Sequence, residues 1–324
     1  MIKRTLEISS EPTHLSVRDG QLLIIRKDLK NLSTAEEIRA KNVAGTVPLE
    51  DIGLVMVDQR DTTFSHSALS GLAENGAAVC VCGPNHLPTG LLLPFADRHE
   101  TVWRIKDQIA ISRPTKKRLW RQIVRAKILG QSKNLPENSA AAVKLRALRD
   151  SVRSGDPANI EAQAAKLYWG QWLGVGNTFR RFANPERMGQ SPNNLLDYGY
   201  AVMRAAVARA IVSAGLLPAI GIHHDSRSNS FCLADDLVEP LRPIVDRRVR
   251  DLFQSGMTTL SREAKQSLLS LLHVEVGATQ LGEPRQSHCG PLLVVLHRYL
   301  ASFVECIPSI RDGQKLAIPT IKKF

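Results

Sequence analysis

Nowhere does an uncharged apolar run reach the ~18 residues that a membrane-crossing helix needs; Ala210 to Ile222 comes closest and stops short. The opening segment MIKRTLEISS has no hydrophobic signal core, and the chain carries no lipidation box. These absences predict a soluble, cytoplasmic protein. There is no GxxxxGK[ST] phosphate loop, no internal repeat and no low-complexity segment. Cysteine is sparse: Cys80, Cys82, Cys232, Cys289 and Cys306 are odd in number and set among apolar residues. They read as reduced, buried thiols. Cys80 and Cys82 sit two apart on one face of an expected strand, a spacing that fits neither a CxxC redox pair nor half of a zinc site.

Acidic residues are also unevenly scarce. Residues 1–98 carry 10 Lys and Arg against 12 Asp and Glu, whereas residues 99–324 carry 33 against 19, in a chain of formal net charge +12. A chain of 324 residues exceeds the usual single-core limit. The charge asymmetry marks two domains, only the second of them basic. Such a balance concentrates phosphate polymers near the surface, so nucleic acid is the expected partner. A membrane is not, because the positive charge is spread over several expected helices rather than gathered in a polybasic tail.

The expected fold class is α+β: a small β-rich domain over residues 1–97, then a larger all-α domain over residues 98–324. His14–Arg18 and Gln21–Ile25 read as a hairpin, since Asp19-Gly20 suits a type I′ turn whose central residues need positive φ. Further strands are expected at Ile52–Val57, Ala77–Cys82 and Thr89–Leu93, with a helix over Ser65–Asn75 stopped by Gly76. Beyond residue 98 helices are expected at Thr115–Leu129, Ala158–Leu173, Leu195–Ala214, Leu241–Ser255, Ser261–His273 and Pro291–Val304. Asp156 is expected to cap the second of these, with Pro157 in its first turn. The tail Arg311–Phe324, with Pro319, reads as an extended or mobile arm.

The first of those helices is basic. Lys116, Lys117, Arg118, Arg121, Arg125 and Lys127 accompany Leu119, Trp120, Ile123, Val124 and Ile128, and no acid occurs between Arg113 and Lys133. A solvated helix face explains the pattern; so does contact with a DNA backbone, through Lys116, Lys117, Arg121 and Arg125.

The densest chemistry lies in GIHHDSRSNSFCLADDLVEPLRP, Gly221–Pro243. Two histidines share an apolar setting with Asp225, Asp235, Asp236 and Glu239. Charges kept in such a setting need partners. One imidazole with two or three carboxylates suits Mg2+ or Mn2+ better than structural zinc. Capping of a helix N-terminus is the plainer explanation of the acids, and Pro240 and Pro243 place a helix start near this point. The other histidines (His14, His66, His86, His99, His273, His288 and His297) read as ordinary structural groups. Glu161, in NIEAQAAKLYWGQW, shares a helical stripe with Ala165, Tyr168 and Trp172. A carboxylate there needs a counter-charge, which a metal or a basic side chain would supply equally well.

Taken together, several segments resemble the family of the CRISPR-associated integrase subunit, CRISPR-associated protein number one. They are VPLEDIGLVMVD, GPNHLPTGLLLP, EAQAAKLYW, NNLLDYGYAVM and AGLLPAIGIHHDSRSNSFCLADDLVEPLRP, in that order. The HHD segment, the short polar loop and D-L-x-E-P-x-R-P are similar to members from type II systems. The resemblance implies a β-sandwich-like N-terminal domain that forms a homodimer, and a helical catalytic domain holding Mg2+ or Mn2+. Matched by motif, the implied catalytic ligands are Glu161, His224 and Glu239, with Asp236 in or beside the site. His223 competes with His224, and Asp235 with Asp236, for these places. Asp197 stands where many relatives have asparagine. The implied activity is a metal-dependent DNA integrase or endonuclease, assembled with a small second adaptation subunit. It would join the 3′-hydroxyl ends of short DNA fragments to the repeat boundaries of a CRISPR array. Two rivals are a nuclease for branched DNA that never integrates, and a DNA-binding scaffold without catalysis.

Overall fold

The computed structural model describes residues 3–26, 43–84, 86–94, 101–174, 179, 181, 190–280, 288–307 and 316–321. The chain forms two compact units, Met1–Phe95 and Ala96–Phe324.

In the first unit, β1 (Arg4–Ile8), β5 (Ile52–Val57), β7 (Ala78–Cys82) and β8 (Pro88–Leu92) form one sheet in the order β1-β5-β7-β8. β4 (Val43–Pro48), β3 (Gln21–Arg26), β2 (Thr13–Arg18) and β6 (Thr63–Phe64) form a second, in the order β4-β3-β2-β6. β2 and β3 pair antiparallel with Arg18 opposite Gln21; Asp19 and Gly20 both take positive φ, as the primed turn requires. β5 lies between β1 and β7, parallel to both, and all six of its residues are buried. That is why it reads as an unbroken apolar run rather than an alternation. Helix α1 (His66–Glu74) is capped by the Ser65 side chain and sends Ala68 and Leu72 into a core shared with Ile8, Leu15, Leu22, Val55 and Val79. Both sheets thus bury against one core, the sandwich-like arrangement expected.

The second unit is built on α2 (Thr101–Ala110), α3 (Arg113–Lys133), α4 (Ala140–Ser151), α5 (Ile160–Trp169), α6 (Asn193–Ser213), α7 (Cys232–Val238), α8 (Arg242–Gln254), α9 (Arg262–Leu269) and α10 (Leu292–Glu305). It is not all helix. β9 (Glu275–Gln280) pairs with β10 (His288–Pro291) and β11 (Ala317–Ile321) in a three-stranded antiparallel sheet of order β10-β9-β11. Part of the expected arm is therefore a strand, its edge position sparing Pro319 the need for a backbone donor. Residues 311–315 and 322–324 of that tail, and His99, lie outside the described residues.

The α5 start also differs from expectation. Asp156, Asn159 and Gly155 all have positive φ, so the helix begins at Ile160 and Pro157 lies outside it. Asp156 still caps the helix, its carboxylate accepting from the amides of Ile160 and Glu161 at 2.9 Å each. Of the five cysteines, Cys80, Cys232 and Cys306 are buried, whereas Cys82 is half-buried and Cys289 exposed. Cys289 departs from expectation because it lies on β10, at the sheet edge. Among the described residues no helix is long and apolar enough to cross a membrane.

Candidate active site

One stripe of α3 organises the site. Ser112 caps the helix and Pro114 stands in its first turn, so the 21-residue element starts cleanly. Lys116 Nζ donates to the Gly221 carbonyl at 3.1 Å. Four residues on, Trp120 stacks flat on His223 at 3.9 Å between ring centroids and meets His224 edge-on at 5.9 Å. Lys127 reaches Glu161 and Glu239. At Gly130 a Cβ would lie 2.8 Å from Pro243 Cγ, so the missing side chain is what lets α3 approach the start of α8. Asn134, the C-cap, donates to the Pro243 carbonyl at 2.7 Å. The helical repeat brings these residues, spread over five turns, to one side.

Glu161 and Glu239 arrive from distant parts of the chain onto a single cation. Lys127 Nζ lies 2.6 Å from Glu161 Oε1 and 2.5 Å from Glu239 Oε2. Arg242 Nε lies 2.8 Å from Glu239 Oε1, and its guanidinium stands over the Tyr200 ring at 4.5 Å. The counter-charge that the Glu161 stripe demanded is a lysine. Glu239 is buried, which alone would push its carboxyl up; Arg242 and Lys127 outweigh burial and hold it below the ordinary carboxylate range. Burial likewise favours the neutral amine of Lys127, but Glu239 and Glu161 raise it above the ordinary lysine range. Local backbone explains how Glu239 gets there. The chain stays helical through α7, a 3-10 turn at Glu239–Leu241 and then α8, with Pro240 and Pro243 each in a first turn, where no amide donor is missed.

Asp236 is fully buried and committed to the chain itself. Its Oδ2 accepts from the amides of Ile222 (2.7 Å) and His223 (3.0 Å); its Oδ1 accepts from the His224 amide at 3.1 Å and lies 2.7 Å from His224 Nδ1. Asp236, expected in or beside the site, lies beside it, holding the His224 ring and the backbone that leads to it. A carboxylate holding Nδ1 leaves Nε2 as the ring nitrogen that could hold an ion. The hydrogen bond that the His224 ring donates to Asp236, offset in part by burial, raises His224 above the ordinary imidazole value, with smaller contributions from Asp236, Glu239 and Asp235 as charges. His223 lies flat against Trp120, and only His224 of the two rings meets the Asp236 carboxylate. Asp235 accepts from Asn229 Nδ2 at 2.7 Å and faces Arg204 at 3.5 Å.

Behind this layer lies a network that the sequence reading missed. Asp246 on α8 is fully buried and accepts from the Tyr200 hydroxyl. Asn134 Nδ2 donates to the Tyr168 hydroxyl at 3.1 Å. Burial pushes the Asp246 carboxyl up to about 7, against the pull of Tyr200, Tyr168, Arg242 and Lys127. A carboxyl with a raised folded pKa binds a proton more readily folded than unfolded, from its ordinary value near 4 up to about 7. In that window stability falls as pH rises. Asp246→Asn cannot ionise. Its stability relative to the native protein should improve by about 3 kcal/mol between pH 5 and pH 8, at ~1.4 kcal/mol per pH unit. Urea unfolding at the two pH values checks this; a constant difference would contradict it.

The structure brings Glu161 and Glu239 together and sets His224 near enough for its charge and that of Glu239 to act on each other. As the side chains stand, no group of three His, Cys, Asp or Glu among the described residues converges to hold a metal ion. The donors nevertheless suit a hard cation: two carboxylates already share one positive charge, and one nitrogen within 2.6 Å of both oxygens marks a position that Mg2+ or Mn2+, with ligands at roughly 2.1 Å, could take after a small adjustment. Of the expected DNA contacts, Lys116 is engaged at Gly221 and Arg125 donates to Asp150 at 3.1 Å; Lys117 is exposed and Arg121 half-buried. Missed altogether were Lys127 as a site residue, Trp120, Arg242, Asp246, Tyr200 and Asn134. The available signal was positional: Lys127 adjoins Ile128 and follows Val124, so it sits at the apolar margin of its helix.

Comparison with known proteins adds a family match. The family model described as "CRISPR associated protein Cas1" matches residues 6–273. The CRISPR-associated endonuclease Cas1 of Neisseria meningitidis serogroup C (strain 8013) is 44% identical over 243 residues, 74% of this chain and 78% of the relative. Among solved structures, a casposase bound to integration product superposes with a TM-score of 0.75 at 18% identity, covering 98% of this chain and 94% of that one. A Cas6-RT-Cas1–Cas2 complex gives a TM-score of 0.70 at 17% identity over 99% of this chain and 36% of that one. At such identities the structural likeness establishes the fold.

Proposed function

Because the chain belongs to the Cas1 family of CRISPR-associated proteins, we propose that it is a Mg2+- or Mn2+-dependent DNA integrase and endonuclease of CRISPR adaptation. The observation that carries the reading is the convergence of Glu161 and Glu239 on one cation, beside a histidine oriented by a buried aspartate. Glu161, Glu239 and His224 would hold the ion, which when bound would neutralise charge developing on a phosphoryl group.

In the proposed reaction the 3′-hydroxyl of a DNA fragment attacks a phosphodiester at a repeat boundary. A new 3′-O–P bond forms, the old one breaks, and the proton balance leaves a 3′-hydroxyl on the departing strand. One phosphodiester replaces another, so no nucleotide is consumed. Asp236 keeps the His224 ring in one orientation, and Arg242 keeps Glu239 ionised despite its burial. Lys117, Arg121 and other cations of α3, in a region rich in positive charge, would hold the phosphate backbone. Further parts of the proposal are a homodimer, a cytoplasmic setting and a complex with the small second adaptation subunit, the last supported by the Cas1–Cas2 assembly among the structural neighbours.

The test uses the full chain with its second subunit, a repeat-bearing duplex, and fragments ending in 3′-hydroxyl or 3′-deoxy. Joined product is expected only with the hydroxyl and only with Mg2+ or Mn2+. Cleavage without joining would favour the branched-DNA nuclease, joining in EDTA would exclude the metal, and DNA binding with neither reaction would leave a scaffold.

A further inference from the structure

We infer that Lys127 is a resident cation, holding the position between Glu161 and Glu239 until a divalent ion displaces it, and thereby setting the affinity of the site for metal. The inference rests on the metal site proposed above.

The first support is geometric. An ammonium within 2.6 Å of Glu161 Oε1 and 2.5 Å of Glu239 Oε2 occupies the space from which an ion would bind the same two oxygens. Two cations cannot share that space: contact distances forbid it, and like charges at such separation in a poorly hydrated pocket repel strongly. Metal binding to both carboxylates therefore requires Nζ to withdraw.

The second support is charge balance. Glu161 and Glu239 face Lys127 and Arg242, so the quartet is neutral. The Lys127 and Glu239 side chains are only 13% and 7% exposed, so solvent does little to offset an imbalance. A divalent ion in place of the ammonium would turn the quartet net positive, which favours an arriving phosphate. The metal-free protein, meanwhile, never holds two unscreened carboxylates against each other.

The third support is the choice of side chain. A lysine presents a compact point charge on a flexible stem, able to swing away; an arginine fork would grip one carboxylate in two places. The stem is rooted in α3, fixed nearby by Trp120 against His223 and by Gly130 against Pro243. The backbone therefore stays in place while the ammonium moves.

Mn2+ titration of the full chain by calorimetry, on the native protein, Lys127→Met and Glu161→Gln, tests this. Lys127→Met should bind Mn2+ at least tenfold more tightly, melt lower than the native protein without metal, and gain more in Tm from Mn2+. Equal or weaker binding by a folded Lys127→Met would overturn the inference. Should that variant not fold, the native chain decides: brief acetylation followed by peptide mass spectrometry should label Lys127 more with saturating Mn2+ than in EDTA, and unchanged labelling would overturn it. A native chain that binds no Mn2+, or Glu161→Gln that binds it as well as the native chain, would instead remove the metal site itself.

Discussion

Glu161→Gln and His224→Ala should each lower strand transfer by about 10³-fold, some 4 kcal/mol of transition-state stabilisation, while leaving the urea midpoint near that of the native protein. The reason for the mild structural effect is visible in the partners. Glu161 is part-exposed, and after its neutralisation Lys127 still pairs with Glu239. His224 is nearly half exposed, and without its ring Asp236 keeps three backbone donors. Glu239→Gln should behave differently. It leaves Arg242 and Lys127 against a neutral amide in a buried pocket, so it should lose activity and also about 3 kcal/mol of stability. Rates measured in Mg2+ and Mn2+, set beside unfolding curves, separate the two patterns. Native rates in both Glu161→Gln and His224→Ala would dismiss the site.

How far these residues could be read from the sequence depended on whether their signal was local. Asp19-Gly20 specifies its turn by backbone conformation alone, and the hairpin lies where that dipeptide puts it. The run Ile52–Val57 identifies a buried strand by composition. The C-terminal sheet had no such signal: Glu275–Gln280 mixes polar and small residues, His288–Pro291 has four residues, and Ala317–Ile321 contains a proline tolerated only because the strand is an edge. The pairing of β9 with β11 joins residues far apart in sequence, which no local pattern encodes.

The same distinction runs through the site. That Glu161 needed a counter-charge followed from its place on a half-apolar helix; that the counter-charge is Lys127 depended on how α3 and α5 pack. The basic α3 looked like a surface for an anion because it holds no acid of its own. Its acids are on other elements: Asp150 on α4, Glu161 on α5, and Glu239 between α7 and α8. Charge patterning along one helix counts only i,i+4 neighbours, so it is blind to such pairs. The resemblance to a known family supplied the order of the motifs; the packing supplied the partners.

The adjacent aspartates give the second large effect. Asp236→Ala removes the acceptor for the amides of Ile222, His223 and His224 and for the His224 ring. Each buried donor left without a partner costs about 1–3 kcal/mol, so the variant should lose roughly 4 kcal/mol or more. Activity should fall with it, because this carboxylate ties the backbone of residues 222–224 and the His224 ring together. Gly221→Ala should act through the same loop: a Cβ there would collide with the His224 carbonyl oxygen and lie 2.9 Å from Asp236 Oδ2. Asp235→Ala is the control, losing only Asn229 and a 3.5 Å contact with Arg204, for which about 1 kcal/mol is the expected cost. Hydrogen exchange at residues 222–224 distinguishes the cases, with protection lost in Asp236→Ala and Gly221→Ala and kept in Asp235→Ala. If both aspartate variants instead retained protection and differed only in Mn2+ affinity, Asp236 would be binding the ion rather than the chain.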